Sequence, residues 1–274
     1  SRYQMTTMQK IIKYLALCLA FLIIISMMLL VIKVGYGVFS LFGTNNKNNN
    51  PKIITLWSQK EEIINNLKID LRCTDLIIQN GDKFLIETNN YSVKYKQNGY
   101  ELDIKEKKNN CLSNRKKELI VTIPESLKFD DIDIDTGAGT INIDNLNSNK
   151  IAFDLGAGDT TIKNINVNEI KMNTGAGALK IANGIISNMD LDLGVGEANI
   201  TAQILGNSKL DTGVGELNLN LLGIKDDYKI KVSKGIGEIR IDNNSIKDGE
   251  VIGNGNNFID VSGGIGQINI SYIN

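Results

Sequence analysis

The sequence predicts an all-β fold, a parallel β-solenoid with coils of about 19 residues, preceded by one transmembrane α-helix. Three observations predict it. A Gly-x-Gly triplet recurs at constant spacing in the second half of the chain, short alternating segments begin near Ile53, and an apolar run lies near the N-terminus. Fixed-period repeats that contain only strands and turns are typical of stacked coils, because one coil cannot bury its apolar face alone.

The apolar run covers residues 14–32 and is interrupted only by Ser26. A helix of this length approaches the thickness of the hydrocarbon core of a bilayer. We therefore predict a cytoplasmic stub over residues 1–13 and a transmembrane helix over 14–38, with the C-terminal bulk of the chain extracellular. A cleaved signal peptide is the alternative, but the run is longer than a typical signal and no small-x-small site follows it cleanly.

An Asn-rich linker over residues 39–52 separates this helix from irregular N-terminal β coils over 53–129. Alternation of apolar and polar residues in those coils is typical of strands with one buried face. A basic loop over 105–117 would suit anionic wall polymers or lipid headgroups, although we favour a solvated loop. Cys73 and Cys111 lie in this region, and both a disulfide and two buried thiols remain open.

Residues 130–274 are predicted to form the Gly-x-Gly repeat solenoid. The first five triplets begin 19 residues apart, and two further copies follow at intervals of 22 and 29. Two columns are apolar in each of the first five copies and are predicted to face inward: Ile134, Phe153, Met172, Leu191 and Leu210, and Ile143, Ile162, Ile181, Ile200 and Leu219. The small apolar residue within each triplet suits a sharp corner where backbone packs closely. The structural turn glycines are Gly137, Gly139, Gly156, Gly158, Gly175, Gly177, Gly194, Gly196, Gly213, Gly215, Gly235, Gly237, Gly264 and Gly266.

Gly-x-Gly triplets also open phosphate-binding loops, so that function has to be weighed against a structural corner. A nucleotide site needs G-x-G-x-x-G between a strand and an amphipathic helix. Here the triplet repeats seven times and is followed by another strand, as at residues 140–143. The structural corner is the interpretation we favour.

An acidic column precedes the triplets by two residues, at Asp135, Asp154, Asp192 and Asp211, with Asn173 in the middle copy. A Ca²⁺-binding stripe is one interpretation, since hard cations prefer carboxylate and carbonyl oxygens, with Glu197, Glu216 and Glu238 as secondary ligands. The repeat lacks the G-G-x-G-x-D nonapeptide of calcium-binding β-rolls. We favour turn capping and solubility for these residues, and we predict no cofactor.

The segment 118–124, followed by 127–134 and then by repeated strand, Gly-turn and strand units, resembles the bacterial putative adhesin family. That family is a domain of unknown function found on envelope proteins, and the resemblance covers residues 53–274. The resemblance implies a right-handed parallel β-helix with irregular N-terminal coils and no assigned catalytic residues. It also implies an occasional association with envelope-stress gene clusters in Gram-positive bacteria.

Composition narrows the function. The chain of 274 residues has no His, which excludes His-dependent nucleophiles and His-ligated zinc, and its net charge of -1 gives no pull toward nucleic acid. We predict a non-enzymatic, single-pass surface protein that binds cell-wall polymer or another envelope protein. An envelope-stress sensor or regulatory partner of membrane proteins is the alternative.

A carbohydrate-active enzyme is less favoured, because Trp57 is the only Trp and aromatic platforms for sugars are scarce in the repeats. The C-terminal strand over residues 268–272 is predicted to expose an edge, which would permit end-to-end self-association.

Overall fold

The computed structural model describes residues 52–59, 63–107, 111 and 115–273. These residues belong to one compact unit, residues 50–274. The predicted stub, the predicted transmembrane helix and all of the predicted linker except Lys52 lie outside the described residues. Within the described part of the chain, no helix has the length and apolar character needed to cross a membrane.

The described residues are all-β apart from one short 3-10 helix, Lys225–Asp227. The strands of the N-terminal region are β1 (Ile54–Ser58), β2 (Asn66–Leu71), β3 (Asp75–Asn80), β4 (Leu85–Thr88), β5 (Val93–Asn98), β6 (Glu101–Glu106) and β7 (Glu118–Ile123). Those of the repeats are β8 (Phe129–Ala138), β9 (Ile141–Ala157), β10 (Thr160–Ile181), β11 (Gly184–Ser187), β12 (Met189–Leu205) and β13 (Asn207–Leu222). The last six are β14 (Tyr228–Ser233), β15 (Ile236–Ile241), β16 (Asn244–Ser245), β17 (Val251–Ile252), β18 (Asn257–Ser262) and β19 (Ile265–Ile273).

The repeat strands stack in parallel with the register that the 19-residue period predicts. Phe153 on β9 pairs with Ile134 on β8 on one side and with Met172 on β10 on the other. The same offset continues from β10 to β12 and from β12 to β13. The predicted solenoid of stacked coils is therefore confirmed for these strands, in which every coil is hydrogen-bonded to the coils beside it.

The core of the solenoid includes the two predicted inward columns, together with other buried residues such as Leu146, Ile165 and Ile204. The ten members of the two columns are all at most 1% exposed, so the inward orientation is confirmed. Within one coil the buried positions change parity at the Gly-x-Gly triplet: Leu191 is buried before it, whereas Ala198 and Ile200 are buried after it. Because successive strand residues face opposite sides, the triplet lets both flanking strands turn their apolar residues inward.

The N-terminal coils do not stack in sequence order. The coil formed by β2 and β3 has the first repeat coil on one side and the coil formed by β6 and β7 on the other. This follows because β2 pairs with both β6 and β8. Likewise β3 pairs with both β7 and β9. Antiparallel strands cover this end, with β5 on β6, β4 on β7 and β1 on β4. The coverage removes most of the open edge that a terminal coil would present.

The C-terminal coils show the same exchange of order, which corrects one prediction. Strand β19 pairs with β13 on one side and with β15 on the other, so the last strand in sequence is internal in the stack. Strand β18 lies in the same way between β13 and β14. The prediction that residues 268–272 form a free edge was wrong, because Ile268 and Ile270 have partners on both sides.

The terminal coil in space is that of β14 and β15, and the segment after β15 folds back over it. β16 pairs antiparallel with Arg240 and Ile241, and β17 pairs antiparallel with Ile230 and Lys231. The turn between β15 and β16 uses two consecutive residues with positive φ, Asp242 at 47° and Asn243 at 64°. Two positive φ values are typical of the type I′ turns that connect hairpin strands.

Candidate functional site

The Gly-x-Gly corners stack directly on one another along one face of the solenoid. A Cβ atom on the first glycine of a triplet, as at Gly194, would overlap the carbonyl oxygen of Gly175 on the neighbouring coil. The second glycine, as at Gly196, meets the carbonyl oxygen of Gly177 in the same way and has a φ of +144°. Glycine is therefore required twice at each corner, for close backbone approach and for a backbone conformation that other residues rarely adopt.

The fourteen glycines selected from the sequence all lie at these stacked corners. Gly137 and Gly139 begin the stack, and they face Arg72 and Thr74 on the β2–β3 coil instead of another triplet. Space is less restricted there, since a Cβ atom on Gly139 would lie 3.2 Å from the carbonyl oxygen of Thr74.

The middle residues of the triplets form a continuous row of exposed apolar side chains. We call this row the aliphatic ridge; in spatial order it comprises Ala138, Ala157, Ala176, Val195, Val214, Ile265 and Ile236. Val195 is 56% exposed and Ile236 is 74% exposed. The tight packing predicted at the corner is thus made by the glycines, while the apolar residue between them faces solvent. Its size increases along the stack from Ala through Val to Ile.

An acidic row runs beside the larger end of the ridge. Glu197 pairs in register with Glu216 on the next coil, directly after the triplets that contain Val195 and Val214. Asn199 Nδ2 donates to Glu197 Oε1 at 2.6 Å, and Asn269 Nδ2 donates to Glu216 Oε1 at 3.2 Å. Amide donors orient these carboxylates without neutralising their charge.

Glu238 at the terminal coil differs from the other members of the acidic row. Its Oε2 accepts a hydrogen bond from Arg240 at 2.8 Å, and this pair lowers the pKa of Glu238. The guanidinium neutralises the acidic row at this end. The negative charge of the row that has no ion-pair partner among the described residues is therefore that of Glu197 and Glu216.

The aspartate column predicted from the sequence is assembled on the other side of the triplets. Asp135 pairs with Asp154, Asn173 follows on the next coil, and Asp192 pairs with Asp211. The structure extends this column to Asp70, which pairs with Asp135. Sequence reasoning missed Asp70 because its coil has no Gly-x-Gly triplet to mark the register.

Crowding in this column affects Asp135 most. Burial, together with the negative charges of Asp70 and Asp154, raises the pKa of Asp135. Lysines in the neighbouring column offset part of the repulsion: Lys68 Nζ lies 2.7 Å from Asp133 Oδ2, and Lys209 pairs with Asp211. Among the described residues, no group of three or more His, Cys, Asp or Glu side chains could hold a metal ion.

Hydrogen-bonded asparagine ladders support other corners of the coils, and sequence reasoning missed them. Asn164 Nδ2 donates to Asn145 Oδ1 at 2.7 Å, and Asn183 Nδ2 donates to Asn164 Oδ1 at 3.1 Å. A second ladder links Asn269 to Asn218 and Asn218 to Asn199. The signal was present in the 19-residue spacing of the asparagines.

A disulfide joins Cys73 to Cys111 at the N-terminal end, with a Cα–Cα distance of 5.6 Å. The buried carboxylate of Glu106 lies beside it. Glu106 Oε2 accepts from the backbone N–H groups of Arg72 at 2.8 Å and Cys73 at 3.0 Å, and Asn90 Nδ2 donates to Oε1 at 2.9 Å. Burial raises the pKa of Glu106, but these hydrogen bonds outweigh that effect and hold it below its usual value.

The comparison with protein families agrees with this repeated, glycine-cornered architecture. Residues 64–258 match the family model described as Toastrack DUF4097. The chain belongs to the Toastrack DUF4097 family. The matched Toastrack region contains β2 to β17 and the first six glycine corners, whereas β19 and its corner, Gly264 to Gly266, follow it.

Two solved structures are similar to this Toastrack chain at low sequence identity. One, described as a putative cell adhesion protein from Clostridium sporogenes ATCC 15579, is 18% identical, with a TM-score of 0.38, and the match covers 81% of this chain and 100% of that one. The other, a putative adhesin from Bacteroides fragilis NCTC 9343, is 14% identical, with a TM-score of 0.37, covering 81% and 97%. No curated protein matches the chain at a significant level.

The Toastrack coils also form a shallow polar groove near the C-terminal end, with a volume of about 270 Å³. Its walls include Asn218, Asn220, Arg240, Asp242 and Asn269, and none of its lining residues is aromatic. Several of these amides already bond to one another within the ladders.

Proposed function

We propose that this Toastrack protein is a non-enzymatic, single-pass protein of the cell surface whose solenoid binds another component of the cell envelope. The aliphatic ridge is the observation that carries the proposal. Val195, Val214, Ile265 and Ile236 are each 46–74% exposed and lie on four consecutive coils. A contiguous apolar surface of this kind is typical of interaction sites.

The close backbone packing of the corners does not explain the ridge. The corners are held by glycine against glycine, and the middle side chain points away from that contact. A polar residue at the same position would leave the corner packing intact and would improve solubility. The presence of Val and Ile at these exposed positions therefore supports a role in binding.

Two observations support a location outside the cytoplasm. The apolar run over residues 14–32 has the length of a membrane anchor. The disulfide between Cys73 and Cys111 suits an oxidising compartment, since cytosolic proteins rarely keep such bonds. Labelling of intact cells with a membrane-impermeant maleimide tests this location. After mild reduction we expect Cys73 and Cys111 to be labelled; labelling only after lysis would contradict an extracellular domain.

The binding proposal is tested with a fragment of residues 52–274, once circular dichroism shows that it is folded. Its binding to intact cells and to isolated envelope fractions is measured with calcium and with a chelator. We expect saturable binding that decreases in the variant Val195→Ser/Val214→Ser and is unchanged in Ile185→Ser, which removes an exposed aliphatic residue elsewhere. Loss of binding in the presence of the chelator would indicate that the aspartate column binds a metal ion.

Absence of binding to every fraction would contradict an adhesive role. Cross-linking of the full chain to another membrane protein in the same cells would then favour the regulatory alternative, in which the solenoid reports envelope damage to a partner in the bilayer. Release of reducing ends from a polysaccharide panel would contradict the non-enzymatic assignment.

A further inference from the structure

The aliphatic ridge is not uniform, and its charged surroundings distinguish one part of it. The Ala half, from Ala138 to Ala176, presents little side-chain area. The Val part lies between two acidic rows, with Glu197 and Glu216 after the triplets and Asp192 and Asp211 before them. We call Val195, Val214 and these four carboxylates the acid-flanked patch.

The acid-flanked patch keeps most of its negative charge. Glu197 and Glu216 are bonded to the neutral amides of Asn199 and Asn269. Lys209 pairs with Asp211 and is the one cation in ion-pair contact with these carboxylates among the described residues. Glu197 and Glu216 therefore face solvent with no ion-pair partner among the described residues, while the charge of Lys209 acts on both Asp211 and Asp192.

We infer that the acid-flanked patch binds a polypeptide segment that carries both aliphatic and basic side chains. The inference rests on the proposed function and names the chemistry of the partner. Aliphatic side chains of such a segment would cover Val195 and Val214, and Lys or Arg would pair with Glu197 and Glu216. Complementary charge of this kind directs association and selects partners. An anionic wall polymer would be repelled by the same surface.

The spacing of the groups supports a single extended contact. Val195 and Val214 are register partners on adjacent coils, as are Glu197 and Glu216, so each pair is separated by about 4.8 Å, the distance between paired strands. One segment that crosses two coils can therefore contact both valines and both glutamates. The next coil has Gln267 in place of a glutamate, and on the terminal coil Arg240 neutralises Glu238. Those changes limit the charged site to the two Val coils.

The test uses the full chain in non-ionic detergent and a fluorescent octapeptide of alternating Lys and Leu. Two further peptides, alternating Glu and Leu or Lys and Ser, separate the contributions of charge and apolar surface. The variants are Glu197→Gln/Glu216→Gln and Val195→Ser/Val214→Ser. Glu125→Gln/Glu169→Gln is the matched control, because it removes two exposed carboxylates away from the patch. Thermal melts of each variant show whether the fold is retained.

We expect the Lys-Leu peptide to bind saturably, and each patch variant to weaken the affinity about tenfold or more while the control variant does not. Equal binding of the Glu-Leu or the Lys-Ser peptide would overturn the inference, as would unchanged affinity in both folded patch variants. The same variants are then tested for binding to envelope fractions. Envelope binding that is retained in Glu197→Gln/Glu216→Gln but lost in Val195→Ser/Val214→Ser would overturn this partner chemistry and leave the proposed function standing, whereas a wild-type chain that binds no fraction would contradict the proposed function itself.

Discussion

Val214 is paired with Ile265, and Ile265 in turn with Ile236, although the triplet of Ile236 precedes that of Ile265 in the sequence. The C-terminal strands β18 and β19 are thus inserted between two coils that precede them. Contacts of this inserted coil hold the terminal coil to the rest of the solenoid. Its loss would separate β14 and β15 from β13.

This arrangement predicts that Ile268 in the inserted coil matters more for stability than Ile246 in the covering segment. Ile268 is 2% exposed, between Leu217 and Ile239 in register. We expect Ile268→Ala to reduce the free energy of unfolding by about 2–4 kcal/mol, in the range for buried Ile-to-Ala changes. Ile246 is 7% exposed and lies in the segment that covers the terminal coil, where its backbone N–H bonds to Ile239, so Ile246→Ala should cost less. Urea denaturation measures both, and equal losses would contradict the inserted position.

The glycine corners predict a graded response to alanine. Gly215 has a φ of +143°, and a Cβ atom there would overlap the carbonyl oxygen of Gly196. Gly139 has a φ of +141° but meets its neighbours only at 3.2 Å. We expect Gly215→Ala to cost about 3 kcal/mol or more, and Gly139→Ala to cost about 1–2 kcal/mol from backbone strain.

Thermal or urea unfolding of the two glycine variants makes this comparison. Gly99→Ala is the control for positive φ alone, because Gly99 has a φ of +58° and no heavy atom within 4 Å of the added Cβ. If Gly139→Ala proved as destabilising as Gly215→Ala, overlap with the neighbouring backbone would not be the reason for the glycines.

The 19-residue period was sufficient to predict the coil register and both inward columns. Period-2 alternation shows which residues of a strand face the core, and the repeat spacing shows which residues of neighbouring coils are paired. Coil order at the two ends could not be predicted in the same way. Val214 would find an equally suitable partner in Ile236 or in Ile265, since both follow and precede glycine. The repeat pattern specifies which residues of two neighbouring coils pair. The order in which the coils stack depends instead on the path of the segments that connect them.

The candidate site was predicted only in part for a related reason. The aspartate column followed from spacing, but exposure of Val195 depends on the parity change at the triplet, and strict alternation gives no sign of that change. Glu197 was considered only as a secondary cation ligand. Its relation to Val195 and to Asn199 became evident only once neighbouring coils were placed together.

Asp135 predicts a dependence of stability on pH with a definite sign. Burial and the charges of Asp70 and Asp154 raise its pKa in the folded state. The folded chain therefore binds this proton more readily than the unfolded chain, and stability decreases as pH rises from the ordinary value, about 3.9, through the raised one. We expect Asp135→Asn to be more stable than the wild type at neutral pH, by less than about 1 kcal/mol because solvent screens the group.

The gain from Asp135→Asn should disappear below the ordinary pKa of Asp and should shrink at high salt. Urea denaturation across a pH series measures both effects. Asn173 already occupies the same column in the wild type, so the substitution is compatible with the coil. A variant that is less stable at neutral pH would show that the carboxylate has a stabilising partner.

Glu106 predicts a dependence of the opposite sign. The backbone N–H groups of Cys73 and Arg72 hold its pKa below the usual value in spite of burial. A lowered pKa in the folded state gives stability that is present above the ordinary value, about 4.3, and is lost as pH falls through the lowered one. Glu106→Gln should therefore cost about 1.5–3 kcal/mol at neutral pH and less in acid. Exposed Glu125 provides the control as Glu125→Gln, and an equal loss at every pH would contradict the charged role.

Asn164 predicts a difference between two nearly isosteric side chains. Its Nδ2 donates to Asn145 and its Oδ1 accepts from Asn183, so it is the central member of the ladder. Asn164→Asp keeps the acceptor but places a carboxylate oxygen against Asn145 Oδ1, and we expect a loss of about 1–3 kcal/mol at neutral pH. Asn183→Asp changes the end of the same ladder and is expected to cost less, because Asn183 makes one bond within the ladder whereas Asn164 makes two.

Acid conditions distinguish a lost donor from a general disturbance of the coil. A protonated aspartic acid has one O–H group, which can donate to Asn145 in place of the amide. The deficit of Asn164→Asp, relative to wild type at the same pH, should therefore become smaller as pH falls below the pKa of the introduced group. Urea denaturation at neutral and acid pH measures it. A deficit that stayed constant across this range would show that the ladder contributes through shape and not through its chain of donors and acceptors.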